Sequence, residues 1–262
     1  MKLARFLVSG EEKYGIVEGR HVSVINGLPW ECVEPSGVSY SLDDVRLLAP
    51  VQPPDVIAIG LNYKKHADEL GNKYPPAPVI FLKATSAVIG PSDNIILPAM
   101  APNKVDNEAE LTIVIGRTCH KVSEKNALDY VLGYTCGNDV SARDAQLEQD
   151  VQWARGKSFD TFCPLGPWIE TDIDPDNVDI SLRLNGQVMQ SSNTCDMIFS
   201  CAELVSYCSQ VFTLRPGTVI MTGTPSGVGV GRKPPVFMKP GDLVEIDISG
   251  IGTLANRVES DS

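Results

Sequence analysis

Along the first 25 residues apolar and polar positions alternate in short runs broken by glycine: 3–8, then Ser9-Gly10-Glu11-Glu12, then 14–17 and 22–25. Side chains of a strand point alternately to its two faces, so this spacing predicts short hairpins with one covered face. Residues 29–50 are looser in pattern, and Pro50-Val-Gln-Pro53-Pro54 reads as an extended connector, because proline turns the residue before it away from helix. The expected organisation is a small N-terminal β module at 1–50 and a catalytic domain at 51–262. Beyond the connector, β-branched runs bounded by Gly, Pro, Asn or Asp predict strands at 55–60, 79–83, 111–115, 180–184, 218–221 and 243–248. Helical spacing appears at 64–70, 142–154 and 201–210, with Ser200 placed to cap the last. Many short strands and few helices predict a β-rich α+β fold rather than a doubly wound sheet.

Charge removes some function classes. A net charge of −11 opposes binding to nucleic acid and to anionic membrane surfaces. It does not oppose an acidic substrate, because a bound cation reverses the local field. The longest apolar runs, such as 56–61, fall far short of the roughly 20 residues of a membrane span. The N-terminus passes at once from Met1-Lys-Leu-Ala-Arg-Phe-Leu-Val8 to Gly10-Glu-Glu-Lys13, unlike a signal peptide. The seven cysteines form no C-x-x-C pair, and most have apolar neighbours. They read as small buried hydrophobes in a reducing compartment, cytoplasm or an organelle matrix.

Candidate chemistry begins with Glu108 and Glu110, at i and i+2 before an apolar run. On a strand both carboxylates share a face, which suits either a solvated edge or a cation between them. Asp139 opens a stretch whose helical spacing puts Asp139, Arg143 and Gln146 on one face. That face is a poor packing surface and a good binding one, although an N-cap aspartate beside a solvent-facing arginine has the same pattern. Three carboxylates without nearby His or Cys suit a hard ion, Mg²⁺ or Mn²⁺, with Ca²⁺ as a substitute.

Five segments in order resemble the signatures of the fumarylacetoacetate hydrolase family. They are Asn62-Tyr63 with His66-x-x-Glu69 and Phe81-Leu-Lys83; Val105-Asp-Asn-Glu-Ala-Glu-Leu111; Gly137-Asn-Asp-Val-Ser-Ala-Arg-Asp-Ala-Gln146; Gly156-Lys-Ser-Phe-Asp160; and Thr222-Gly-Thr-Pro-Ser-Gly-Val-Gly229. The match runs from about residue 50 to the C-terminus, roughly four-fifths of the chain. The resemblance implies a mixed β-sandwich roll, a homodimer, and Glu108, Glu110 and Asp139 as metal ligands. It also implies a His66–Glu69 dyad that activates water on a segment ordering over ligand, a role that Gly71 and Pro75-Pro76 would suit. Thr224, Arg143 and Gln146 are implied to contact substrate. Asn107 departs from the pattern, which often has tyrosine there.

The remaining groups are weighed on their own chemistry. His66 and Glu69, three apart on a helix, can meet on one face and leave one ring nitrogen as a base, or form an ordinary surface pair. Lys157, between Gly156 and Phe159, is placed to donate to an enolate or protonate a carbanion. Gly156-Lys157-Ser158 is not a phosphate loop, since position 151 is Val where that motif needs Gly. The run 223–231 has no helix-forming stretch after it, which excludes a dinucleotide turn, and Ser226 lies in no nucleophile elbow. It reads as a loop presenting backbone N–H groups and the Thr224 hydroxyl to an anion. His21 and His120 read as surface residues.

Together these groups suit a small 2-oxo acid. The expected reaction is C–C cleavage of a β-dicarbonyl 2-oxo acid, acylpyruvate hydrolysis first and oxaloacetate decarboxylation next. A metal-dependent isomerase or tautomerase is the alternative, and a non-catalytic ligand-binding paralogue the third reading.

Overall fold

A computed structural model describes residues 1–261. Its backbone is a long mixed sheet packed against a smaller one, in agreement with the β-rich α+β expectation. From one edge the long sheet runs through Pro35–Ser41, His21–Ile25, Glu11–Glu18, Lys2–Val8, Cys163–Glu170, Val131–Asn138, Ala109–Ile115, Val219–Met221, Val56–Gly60 and Val79–Lys83. Most neighbours are antiparallel, but Val219–Met221 lies parallel to Val56–Gly60. The second sheet orders Gln187–Asn193, Asp179–Leu184, Leu243–Ile248, Gly252–Ser260 and Ile95–Leu97.

Burial follows from this layering. In Leu243–Ile248 only Val244, Ile246 and Ile248 are buried, as a strand with one covered face requires. Ala109–Ile115 is buried at all seven positions because it is covered on both faces. Leu111, Ile113, Leu165, Ile169 and Ile180 are among the largest wholly buried side chains, so the core sits where the two sheets meet.

The N-terminal strands were expected as a separate module, and they do carry a small cluster of their own, Ala4, Phe6, Val8, Val17 and Val22. Their backbone nevertheless continues the long sheet, with Lys2 opposite Glu170 and Leu3 opposite Ile169. We propose the division near residue 50 on the separate cluster. Residues 29–50 contain the strand Pro35–Ser41, which the periodicity missed because the strand is almost wholly exposed. Its opening Pro35 is tolerated because the strand lies at the sheet edge.

Two predicted helices form as expected, Lys64–Glu69 and Cys201–Val211. In the latter the Ser200 hydroxyl accepts from Glu203 N–H, and the Glu203 carboxylate accepts from Ser200 N–H. The third is different. The expected helix at 142–154 is replaced by the strand Ser141–Ala142, a π-helical turn at Asp144–Gln149, and a short α-helix at Ala154–Lys157. Tertiary pairing overrides the local pattern: Ala142 and Ser141 pair with Val105 and Asp106, and Arg143 N–H donates to Lys104 O at 2.9 Å. Among the described residues no helix is long and apolar enough to cross a membrane.

Replacing Ser200 with Ala should destabilise the protein by about 1 kcal/mol, because an orphan helix N–H loses its acceptor. A urea denaturation midpoint unchanged from wild type would show that the capping box contributes nothing.

Candidate active site

Adjacent strands place the three acidic residues. Ala109 pairs with Asn138 and Glu110 with Gly137, so Asp139, one step past its strand, emerges beside Glu108, whose carbonyl accepts from Asp139 N–H at 2.9 Å. Gly137 is required here, because a Cβ would collide with the Thr112 hydroxyl. Glu108, Glu110 and Asp139 are all buried, and each offers an oxygen lying within 4.8 Å of the others'.

Three cations converge on this cluster from separate segments. Lys83, ending the strand Val79–Lys83, reaches Asp139 at 2.5 Å. Lys157 lies 2.5 Å from Asp139 and 2.8 Å from Glu108. Gly156 lets the Lys157 helix close in, since a Cβ there would meet Gln146 N at 2.8 Å and Ala142 O at 3.0 Å. Arg143 donates to Glu108 at 2.6 Å, to Asp106 through Nε and Nη2, and to Gln146 Oε1 at 2.8 Å. Four of its five N–H bonds are thereby used, and one on Nη1 is left at the cavity it lines. Because Gln146 Oε1 is an acceptor for Arg143, its NH₂ remains free to donate.

The charges do not balance. Glu108, Glu110, Asp139 and Asp106 face Lys83, Lys157 and Arg143, four against three, and Glu110 makes no ion pair among the described residues. Its partner is Gly223 N–H at 2.8 Å. Burial, then the charges of Asp139 and Glu108, raise the Glu110 carboxyl well above the usual range. Burial also works against charge on Glu108, but Lys157 and Arg143 outweigh it and hold that carboxyl low. For Lys157 burial opposes the charge too, yet Asp139 and Glu108 keep the ammonium protonated beyond its ordinary range. A buried carboxylate without a cation, beside two others, fits a hard divalent ion held by Glu108, Glu110 and Asp139.

His66 stands across the same cavity, which measures about 190 Å³ and is lined also by Ile59, Leu61, Phe81 and Trp153. Its helix is anchored by Asn62, which exchanges hydrogen bonds with Phe199 and donates to Thr222 O at 2.8 Å. Leu61 enters this turn at φ 53°, a strained backbone for a branched side chain. His66 Nδ1 is 3.2 Å from Glu69, so Nε2 is the ring nitrogen left for other work.

Two sequence expectations change in detail. Asp139, Arg143 and Gln146 do converge, but not on one helical face, since Asp139 follows a strand, Arg143 opens a π-helical turn and Gln146 lies within it. The loop 223–231 does not offer all its N–H groups to an anion. Gly223 donates to Glu110, Gly227 to Glu69 at 3.0 Å, and Gly229 and Val230 to Asp106 at 2.9 and 3.0 Å. The Thr224 hydroxyl donates to Ala109 O and accepts from Gln190, although Thr224 does line the cavity. Lys83 and Asp106 lie within segments that carry the family resemblance, but the sequence reading gave neither a role, and Gln190 escaped it altogether.

Comparison with known proteins identifies the family. Residues 55–259 match the family model described as fumarylacetoacetate (FAA) hydrolase C-terminal, and residues 1–50 match one described as Rv2993c-like, N-terminal. The chain is 50% identical over 226 residues to protein Rv2993c of Mycobacterium tuberculosis, covering 85% of this chain and 82% of that one. It is 44% identical over 261 residues to the mitochondrial oxaloacetate tautomerase FAHD2A of Bos taurus, covering 98% and 79%. The crystal structure of 5-carboxymethyl-2-hydroxymuconate delta-isomerase from Mycobacterium smegmatis superposes with a TM-score of 0.91 at 46% identity, over all of both chains. With a family model spanning most of its length, this chain belongs to the fumarylacetoacetate hydrolase family.

Proposed function

We propose that this protein is an enzyme that moves a proton at C3 of a small 2-oxo acid, with keto–enol tautomerisation of oxaloacetate or a close analogue as its reaction. The observation that carries the reading is that one cavity gathers the acidic triad, the Lys157 ammonium and a free imidazole nitrogen. The cattle relative, named an oxaloacetate tautomerase, and the mycobacterial relative, named an isomerase, move tautomerisation ahead of the cleavage reactions that the sequence ranked first.

Glu108, Glu110 and Asp139 would hold Mg²⁺ or Mn²⁺, which supplies Lewis acidity to the neighbouring oxygens of a 2-oxo acid. The protein's own groups do the rest. Arg143, through its remaining Nη1–H, and the Gln146 amide orient the substrate carboxylate. His66 Nε2 takes a proton from C3, and the electron pair of that C–H bond moves toward the C2 carbonyl oxygen. Lys157, held protonated by its two carboxylates, donates to that oxygen and gives the enol. Exchange with solvent returns the proton from His66 to Lys157. The apolar walls lower the local dielectric and strengthen each of these contacts.

A second reading, C–C cleavage, has one feature in its favour, the contact between His66 Nδ1 and the Glu69 carboxylate. Such a dyad can deliver water to C4 of an acylpyruvate, breaking the C3–C4 bond to give pyruvate and a carboxylic acid. With oxaloacetate the same bond breaks by loss of CO₂.

Loss of enol absorbance from oxaloacetate, followed with Mn²⁺ and without pyruvate formation, is the expected result. Metal-dependent pyruvate from acetylpyruvate would instead establish the hydrolase, and no change with either acid would leave a binding protein. His66→Ala should slow tautomerisation about 10²- to 10⁴-fold, the range for loss of a general base; a rate near wild type would remove His66 from the mechanism.

Glu110→Gln tests the ion without any substrate. It replaces a buried carboxyl whose ionisation burial and its neighbours oppose with a neutral amide of the same shape, so in chelator the variant should melt at or above the wild-type temperature. At about 100 times its Kd, Mn²⁺ should stabilise the wild type by about 2.7 kcal/mol. It should leave the variant nearly unmoved. Equal thermal shifts in both proteins would sink the assignment of Glu110 as a ligand.

A further inference from the structure

Asp106 lines no part of the cavity, yet it is the most heavily bonded carboxylate in the molecule's centre. One oxygen accepts from Asn107 N–H at 2.9 Å and Gly229 N–H at 2.9 Å. The other accepts from Arg143 Nε at 3.0 Å, Arg143 Nη2 at 2.8 Å and Val230 N–H at 3.0 Å. We propose that Asp106 is a positioning residue that ties the glycine loop at 227–230 to Arg143, so that loop closure and the arginine's aim at the substrate are set together.

The geometry separates this role from simple charge compensation. Glu108 already accepts from Arg143, so neutralising the guanidinium does not require Asp106 to reach the loop as well. Val230 forms part of the cavity wall, and its N–H shares an acceptor oxygen with Arg143. Withdrawing the loop would leave that carboxylate short of two donors, and turning Arg143 away would leave it short of two others. A buried carboxylate strongly resists either loss, so the two movements are coupled. Gly229 is matched to the contact, since a Cβ there would collide with Val236 O and approach Asp106 Oδ1 to 2.5 Å. The other end of the loop is held in the same way, by Gly227 N–H on Glu69.

The test uses oxalate, a planar anion with adjacent oxygens, as a probe of the full-length Mg²⁺-loaded protein; to that extent it rests on the 2-oxo-acid reading. Asp106→Asn should weaken oxalate binding about tenfold or more, the scale of one hydrogen bond to a charged group. Mg²⁺ affinity should fall much less. In the wild type oxalate should slow amide exchange at Gly229 and Val230, and in the variant that protection should vanish. Asp106→Glu, which keeps the charge, should recover part of both effects. A residue serving stability alone would lower the melting temperature of the variant and leave oxalate-dependent protection intact; that result overturns the proposal.

Should the asparagine variant not fold, Gly229→Ala displaces the loop while leaving Arg143 its carboxylate. It should weaken oxalate binding and speed exchange of the Arg143 Nε proton; no change in either overturns the coupling. A wild type that takes no oxalate would instead refute the 2-oxo-acid reading. The Arg143 exchange in Gly229→Ala, read without ligand, still decides the role of Asp106.

Discussion

Four carboxylates packed out of water are the constraint around which the rest of this molecule is arranged. Glu108, Glu110, Asp139 and Asp106 are each no more than 6% exposed. Desolvation alone would protonate or expel such groups, and their mutual repulsion adds to it. Removing one partner of a buried ion pair commonly costs about 3–5 kcal/mol. The fold therefore has to bring in cations, and it takes them from three distant places: a strand end for Lys83, the start of a π-helical turn for Arg143, and a short helix for Lys157. Local irregularities follow from that demand. The π-helical turn and Gly156 are what allow Arg143, Gln146 and Lys157 to face the same carboxylates.

The cluster is left one positive charge short, and Glu110 bears the shortage. A stable apoprotein would have placed a fourth cation there or replaced the glutamate. Its retention is a stability cost of the kind found at functional sites, where groups are arranged for a ligand and not for the free protein. A divalent ion bound there would reverse the imbalance to a single positive charge, which would suit one carboxylate of the proposed acid. Attraction for an anion would then be generated inside a strongly acidic protein, and the overall charge of −11 would cease to argue against an anionic substrate.

How much of this the sequence discloses depends on how local the cause is. Strands such as Asp179–Leu184 and the capped helix Cys201–Val211 are legible because alternation, helical spacing and a serine cap act over a few residues. The Glu108–Glu110 pair is legible as a candidate because i and i+2 on a strand needs no distant information, whereas Asp139, on a separate segment, joins it through the family resemblance. The helix expected at 142–154 is not observed, because the competing force is pairing with Val105–Asp106, more than thirty positions upstream. The roles of Lys83 and Asp106 are hidden for the same reason. Each looks like an ordinary strand residue until the partner, fifty-six positions away for Lys83 and thirty-seven for Asp106, is in place.

The glycine loop shows the limit most clearly, and it alters the picture of how an anion is recognised. Gly223-Thr-Pro-Ser-Gly-Val-Gly reads as a cradle of free N–H groups, the usual use of such sequences. Here the N–H groups of 223, 227, 229 and 230 are bound by Glu110, Glu69 and Asp106, one carboxylate that lines the cavity and two directly behind it. The loop does meet anions, but they are the protein's own. In the proposed reading, recognition of an external carboxylate falls to the Nη1–H that Arg143 has left and to the Gln146 amide, both fixed by bonds behind them. Glycine is needed at 227 and 229 for close backbone approach, since a Cβ at either would collide with a carbonyl oxygen. What looks like a binding loop in sequence is, in the fold, bonded to the carboxylates beside Arg143 and His66, as the proposed positioning role requires.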